Sequence, residues 1–196
     1  MHLEDGHLRP WHPGLAHVRL RDRSRDALAR TLDLRPEERV LDCTFGLGHD
    51  AMVLADAGAR IDAIDRSAGL LWYAYTGMRT YRPAAARRIR IACCDASEFL
   101  EGCTPGAYAH VYLDPMFPAE RTGPNATWGP IRSLIDTGTR PERPTPELVA
   151  LARRAARRSV VLKLAPAEPP PAPGAVVRGS KRLQYAVWPG LQTDPG

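Results

Sequence analysis

The chain has 196 residues, 44% of them hydrophobic and 25% charged, which excludes a disordered or collagen-like polymer and leaves room for about one domain. Its formal charge is +5, from 27 basic and 22 acidic residues, so a polyanionic partner is permitted but not demanded. The opening Met1-His-Leu-Glu-Asp5 is acidic, and no run nears ~18 apolar residues, so neither a signal peptide nor a membrane span is expected.

Cys43, Cys93, Cys94 and Cys103 form no C-x-x-C pair. No disulfide framework and no metal site is expected, and a reduced, cytoplasmic protein is the default. Only Lys163 and Lys181 are lysines among the basic residues. Arginine suits phosphate recognition, but a genome favouring Arg, Ala, Pro and Gly is the simpler source of this bias.

Residues 1–16 carry Pro10 and Pro13 without periodicity and read as an extended arm. His2, His7, His12 and His17 recur every fifth residue, which spreads them around a helix rather than along one face. From Val18 to Leu34, the apolar positions Ala27, Leu28, Thr31 and Leu32 predict an amphipathic helix with a basic first half. That half is either a solvated face or a phosphate-contacting arm.

Strands then alternate with helices. Arg39–Cys43 is a short apolar strand, and Gly46 to Ala57 a helix stopped by Gly58. Arg60–Asp65 is a second strand, and Ser67 caps a helix through Arg79. Arg88–Cys93 and Ala109–Asp114 are the third and fourth strands. Residues 115–144 form a long proline-rich connection. Thr145-Pro146 opens a helix to about Arg157, and Ser159–Leu164 is a fifth strand. A proline-rich link, Glu168–Gly174, precedes two short strands near Ala175–Arg178 and Leu183–Trp188. Repeated strand–helix units predict an α/β fold, a mostly parallel sheet covered by helices on both faces.

In such sheets ligands bind beyond the carboxyl ends of the strands. The first such end is Val40-Leu-Asp-Cys-Thr-Phe-Gly-Leu-Gly-His-Asp50. Gly46 and Gly48 allow a tight turn and a close backbone approach, and the helix behind them offers free N–H groups. The third glycine of a dinucleotide fingerprint is missing. Asp42, Thr44, Gly46 and Gly48 are candidate cofactor contacts, with Asp42 suited to a cationic group. Asp65, ending the next strand, can accept two ribose hydroxyls. Asp95 suits an adenine amino group. Helix capping or solvation is the plainer account of each acid alone; together they favour a ribose-containing cofactor.

Asp114-Pro-Met-Phe-Pro118 follows the fourth strand. An exocyclic amine on a base is a poor nucleophile because its lone pair is delocalised into the ring. Acceptors from Asp114 and the Pro115 carbonyl can hold its N–H groups, and Phe117 can stack on the flat base. The plainer account is a proline-shaped strand exit with a buried Phe.

These segments resemble the class I S-adenosylmethionine-dependent methyltransferases. More closely, they resemble the RsmJ family of 16S ribosomal RNA guanine-N2 methyltransferases and its smaller relatives. The resemblance rests on Val40–Ala51, Ile64-Asp-Arg66, Cys94–Ser97, Val111–Pro118 and Val160-Val-Leu-Lys163, and spans about 38–188. His12-Pro13, Arg19 and Asp26 match the N-terminal motif of the smaller relatives. The resemblance implies a Rossmann-like seven-stranded sheet whose last strand is antiparallel. It implies S-adenosyl-L-methionine as cofactor, held by His49, Asp50, Asp65, Arg66, Asp95, Ala96 and Asp114. The chain differs from the ribosomal enzymes in its short N-terminal arm and in the stretch holding Asn125, Trp128 and Arg132.

The expected organisation is an arm and helix over 1–37 and a methyltransferase domain over 38–196. Small-subunit ribosomal RNA is the leading substrate, with arginines at 19–25, 79–90 and 153–158 contacting phosphates. A small amine metabolite is the alternative, walled by Trp72, Tyr73, Tyr75, Tyr81 and Trp128. A non-catalytic cofactor-binding protein is the third. His49 and Tyr112 are candidate neighbours of the reacting groups, without a proton-transfer role.

Overall fold

The computed structural model describes residues 2–4, 7–22, 26–115, 143–165, 167–180 and 183–191. Two short strands, β1 (His2–Glu4) and β2 (His7–Arg9), pair antiparallel. Next come α1 (Ala16–Arg19) and α2 (Ala27–Leu32). The rest alternates: β3 (Arg39–Asp42), α3 (His49–Asp56), β4 (Arg60–Asp65), α4 (Ala68–Tyr81), α5 (Pro83–Ala86), β5 (Ile89–Cys93), α6 (Ala96–Glu101) and β6 (Tyr108–Leu113). It ends with α7 (Pro146–Ala155), β7 (Ala156–Leu164), β8 (Val176–Ser180) and β9 (Leu183–Pro189).

Seven strands form one sheet in the order β5-β4-β3-β6-β7-β9-β8. β3 to β7 run parallel, and β9 lies antiparallel to both its neighbours. This is the Rossmann-like α/β architecture expected, including the antiparallel last strand. Both sheet faces are covered. Val40, Ile61, Tyr112 and Val161 pack against α2, α3, α4 and α5. Leu41, Ile64, Val111 and Val160 pack against α6 and α7. Adjacent residues of a strand point to opposite faces, so every residue of β6 is buried. Strands buried on both sides read as near-continuous apolar runs.

Several helix starts follow from one side chain each. Ser67 accepts a hydrogen bond from Leu70 N at 3.1 Å, and Thr145 from Leu148 N at 3.2 Å. Each satisfies a backbone donor that the first turn leaves free. Asp95 does the same for α6, accepting from Ser97 N at 2.7 Å. The link before β8 is fixed by the buried Trp188, whose indole N–H donates to Pro173 O at 3.0 Å.

The structure corrects the expected helix over 18–34. Asp26 is extended and its carboxylate caps α2 through Ala29 N, so the chain breaks between α1 and α2. The apolar spacing belongs to α2 alone, where Leu28 and Leu32 enter the core. The extended arm over 1–16 gives way to a β-hairpin and the start of α1. α5 and α6, too short to show a period, were not expected, and β7 begins at Ala156 rather than Ser159. Among the described residues no helix is long and apolar enough to cross a membrane.

Candidate functional site

The order of the sheet reverses between β3 and β6, so their connections leave in opposite directions and open a crevice at the carboxyl ends. Register places Asp42 beside Tyr112 and Leu113 beside Leu162. Asp42 and Asp65 therefore end their strands, Asp114 directly follows β6, and Lys163 is the penultimate residue of β7, all at the carboxyl ends of the parallel strands.

The loop after β3 is held on both sides. Asp42 Oδ1 accepts from Thr44 N at 3.0 Å and from the Thr44 hydroxyl at 3.4 Å. The same hydroxyl accepts the main-chain N–H of Asp114 at 2.6 Å. Gly46 N donates to Asp65 Oδ2 at 2.9 Å, and Ser67 N donates to Asp65 Oδ1 at 2.9 Å. The three acids proposed from sequence thus share one network of turns.

Gly46 and Gly48 have φ of +53° and +72°, a region that L side chains rarely enter. A Cβ on Gly48 would lie 2.6 Å from Met78 Cε and 2.7 Å from Phe45 Cζ. A Cβ on Gly46 would meet only Thr44 O, at 3.7 Å, so the loop is open there. Gly48 caps α3, bringing His49 and Asp50 into its first turn.

Asp42 is 1% exposed. Burial, reinforced by the charges of Asp50, Asp114 and Asp65, pushes its carboxyl up to about 8. Asp50 behaves differently. Burial also works against its charge, but Arg19 and Lys163 hold it below the usual carboxylate range. Arg19 donates to Asp50 Oδ1 and, through Nε, to Asp26 Oδ2 at 2.7 Å. The Tyr112 hydroxyl donates to Asp50 Oδ2 at 2.8 Å, and Lys163 Nζ lies 4.0 Å from that oxygen. Lys163 Nζ donates to Asp114 Oδ2 at 2.6 Å. Burial and the nearby Asp50 charge push Asp114 up to about 6, against the pull of Lys163.

The segment before α1 straps this loop. The Trp11 indole N–H donates to Leu47 O at 3.0 Å, and His49 Nε2 to His12 O at 3.0 Å. Burial lowers the pKa of His49, which favours the neutral ring. Trp11 lies against Gly77 of α4, where a Cβ would strike its ring.

Arg66 and Asp95 face each other across the β4 and β5 ends, Nε to Oδ2 at 3.5 Å, and Ala96 opens α6 beside them. Pro115 is half-buried next to Asp114. Phe117, Asn125, Trp128 and Arg132 lie outside the described residues. Among the described residues, the proposed aromatic wall does not converge on the strand ends. Trp72 is 69% exposed on α4, Tyr75 packs on the core, and Tyr81 packs on Trp11 and His17.

In the arginine patches, several guanidiniums among the described residues also serve the fold. Arg82 pairs with Asp56, Arg88 with Glu37, and Arg158 with Glu38 and Asp33. Arg154 donates to the carbonyls of Leu100, Glu101 and Cys103, and Arg157 to Gly106 O. Arg79, Arg87 and Arg90 are exposed.

From the sequence, Lys163 is only part of a fitting strand, and Arg19 is part of a basic stretch and of a resemblance, without Asp50 as its partner. A signal for Lys163 was available: a rare lysine in an arginine-rich chain, near the end of an apolar strand. The Trp11 strap has no such signal, since its partners are backbone carbonyls far along the chain.

The architecture is that of the class I methyltransferases. A SAM-dependent methyltransferase of Neisseria gonorrhoeae superposes with a TM-score of 0.71 at 21% identity, over 98% of this chain and 78% of that one. The family described as "Putative SAM-dependent methyltransferase" matches residues 12–178, and the chain belongs to it. Among curated relatives, the ribosomal RNA small subunit methyltransferase J of Alkalilimnicola ehrlichii is 38% identical over 156 residues, 74% of this chain. The enzyme of the same name from Laribacter hongkongensis is 33% identical over 175 residues, 85% of this chain. The chain spans 59% of the length of each of these two relatives.

S-adenosylmethionine is the cofactor of this family. The strand-end residues fit its chemistry. Each oxygen of Asp65 holds one backbone N–H, and a carboxylate oxygen has a second lone pair for a ribose hydroxyl. The open side of Gly46 leaves room for a ligand against the backbone.

Proposed function

We propose that this chain methylates the N2 exocyclic amine of a guanine in small-subunit ribosomal RNA, using S-adenosylmethionine. The observation that carries the reading is the placement of Asp114. It follows β6 in the crevice, its N–H is fixed by Thr44, and one of its carboxylate oxygens is held by Lys163. The carboxylate also lies close to that of Asp50, and in this reading its second oxygen accepts an amine N–H. The likeness to the two named ribosomal RNA methyltransferases supports the choice of RNA over a small amine. A ribosomal substrate implies the cytoplasm.

In this reading Asp65, Gly46, His49, Asp50, Arg66, Asp95 and Ala96 line the cofactor site. Bound S-adenosylmethionine supplies an electrophilic methyl group on sulfonium, so alignment of the amine matters more than a strong base. Asp114 and the Pro115 carbonyl orient the two N–H groups so that the nitrogen lone pair points out of the ring conjugation. Phe117 stacks on the base. The neutral His49 and the hydrogen-bonded Tyr112 keep the crevice wall in place without carrying the proton, which the methylated nitrogen releases to solvent past Asp114.

The test is incubation of the purified protein with methyl-labelled cofactor and two acceptors, undermodified small-subunit RNA and a metabolite extract. Label at guanine in the RNA is expected. Label confined to small amines would overturn the substrate, and label in neither the reaction.

A further inference from the structure

Three elements meet around Asp50. Arg19 comes from α1, Lys163 from β7 and Tyr112 from β6, and all three reach one carboxylate. Lys163 is closer to Asp114, at 2.6 Å, than to Asp50, at 4.0 Å. Two acids and two cations therefore alternate: Arg19, Asp50, Lys163, Asp114. Asp26, bound to Arg19, ends the row.

We infer that Lys163 is a positioning residue for the reaction, orienting the Asp114 carboxylate and keeping it charged, and that Arg19 frees Lys163 for this task by neutralising Asp50. The inference rests on the amine-methylation reading. Its physical basis is competition. Two carboxylates in a mostly buried crevice repel each other, and one cation cannot compensate both. With Arg19 on Asp50, the ammonium lies nearer Asp114 and holds its Oδ2, which fixes the plane of the carboxylate. The other ionisable groups nearby are Asp42 on β3 and the Tyr112 and Tyr185 hydroxyls on β6 and β9. Burial, then neighbouring carboxylates, push all three pKa values up, Asp42 to about 8. None of them replaces the lost positive charge. Within the row, Asp114, already pushed up to about 6, is the member whose proton occupancy responds near neutrality; Asp42, at about 8, titrates outside the row.

The test needs Lys163→Met, which keeps the length of the side chain, Lys163→Arg, which keeps the charge, and Arg19→Met. Carbon-13 NMR of Asp-labelled apoprotein, assigned with Asp114→Asn, follows the Asp114 titration directly. Loss of a cation within ~4–6 Å raises a carboxyl pKa by about 1–3 units. A rise of about two units would leave roughly a tenth of the acid ionised at pH 7, a loss of about tenfold in kcat/KM there. The acid limb of the kcat/KM profile should move with the titration and activity should return at higher pH. Lys163→Arg should restore both, and Arg19→Met should shift both the same way but less. A merely structural role would lower activity at every pH without moving the midpoint. An unmoved Asp114 midpoint in Lys163→Met overturns the inference. If that variant does not fold, an unmoved midpoint in Arg19→Met does so. Wild-type protein that labels no guanine overturns the reaction instead, and the NMR result still stands by itself.

Discussion

Gly48 is the position where the loop is most sensitive to a single carbon. Gly48→Ala places a Cβ at a φ of +72°, 2.6 Å from Met78 Cε and 2.7 Å from Phe45 Cζ. The left-handed conformation costs a non-glycine residue about 1–2 kcal/mol. Forcing a methyl into packed surroundings adds about 1–3 kcal/mol, so the total loss of stability is about 2–5 kcal/mol. Because Gly48 precedes His49 and Asp50, the same change should tilt the first turn of α3 and weaken cofactor binding. Urea denaturation measures the first effect and calorimetry the second. Met78→Leu removes the offending Cε, and in the Gly48→Ala background it should cost less than in the wild type, with a coupling of about 1 kcal/mol. A Gly48→Ala loss below about 1 kcal/mol, or a strictly additive pair, would refute the argument from crowding at this loop.

Asp65→Ala removes the acceptor that holds Gly46 N and Ser67 N and that suits the ribose diol. Charged hydrogen bonds are worth about 1.5–3 kcal/mol each, so cofactor affinity should drop at least about tenfold by calorimetry. Undiminished affinity would remove Asp65 from the site. Asp42→Asn tests the buried acid by its pH dependence. The folded pKa is raised to about 8, so the wild type should lose stability as pH rises from about 4, where the unfolded acid ionises, through about 8. The Asn variant lacks that loss, so its advantage in chemical denaturation should grow with pH; a constant difference would contradict the burial argument. Arg154→Leu strips three carbonyls around the end of α6 of their donor. About 1–3 kcal/mol of stability should go, with RNA methylation per folded molecule unchanged. A selective loss of RNA affinity would return this arginine to the phosphate-binding role.

The parallel sheet was readable because β3, β4 and β6 are short runs that end in or meet an acid, Asp42, Asp65 and Asp114, and alternate with helical segments. Ser67 and Thr145 cap the helices that their positions predict. The breaks in pattern were local. Asp26 appears in the sequence as one more polar residue on a helix, yet its carboxylate ends one segment and caps the next. The four-residue α5 and six-residue α6 span too few turns for a period to show. In the candidate site, the positions of Asp42, Asp65 and Asp114 at the strand ends were legible from the strand-end rule. The cations that hold Asp50 and Asp114 were not, because an ion pair between α1 and α3, or between β7 and the end of β6, depends on tertiary placement and leaves no spacing in the chain. Arginine counts are silent for the same reason: they do not distinguish a guanidinium facing solvent from one donating to three carbonyls.

Among the described residues, several guanidiniums of the arginine-rich stretches are tied into the fold as internal fasteners. Each keeps its full charge, but its position is set by the backbone or carboxylate it holds. The positive field they contribute is therefore rigid, and an anionic partner would meet charges at fixed spacings rather than on freely swinging arms.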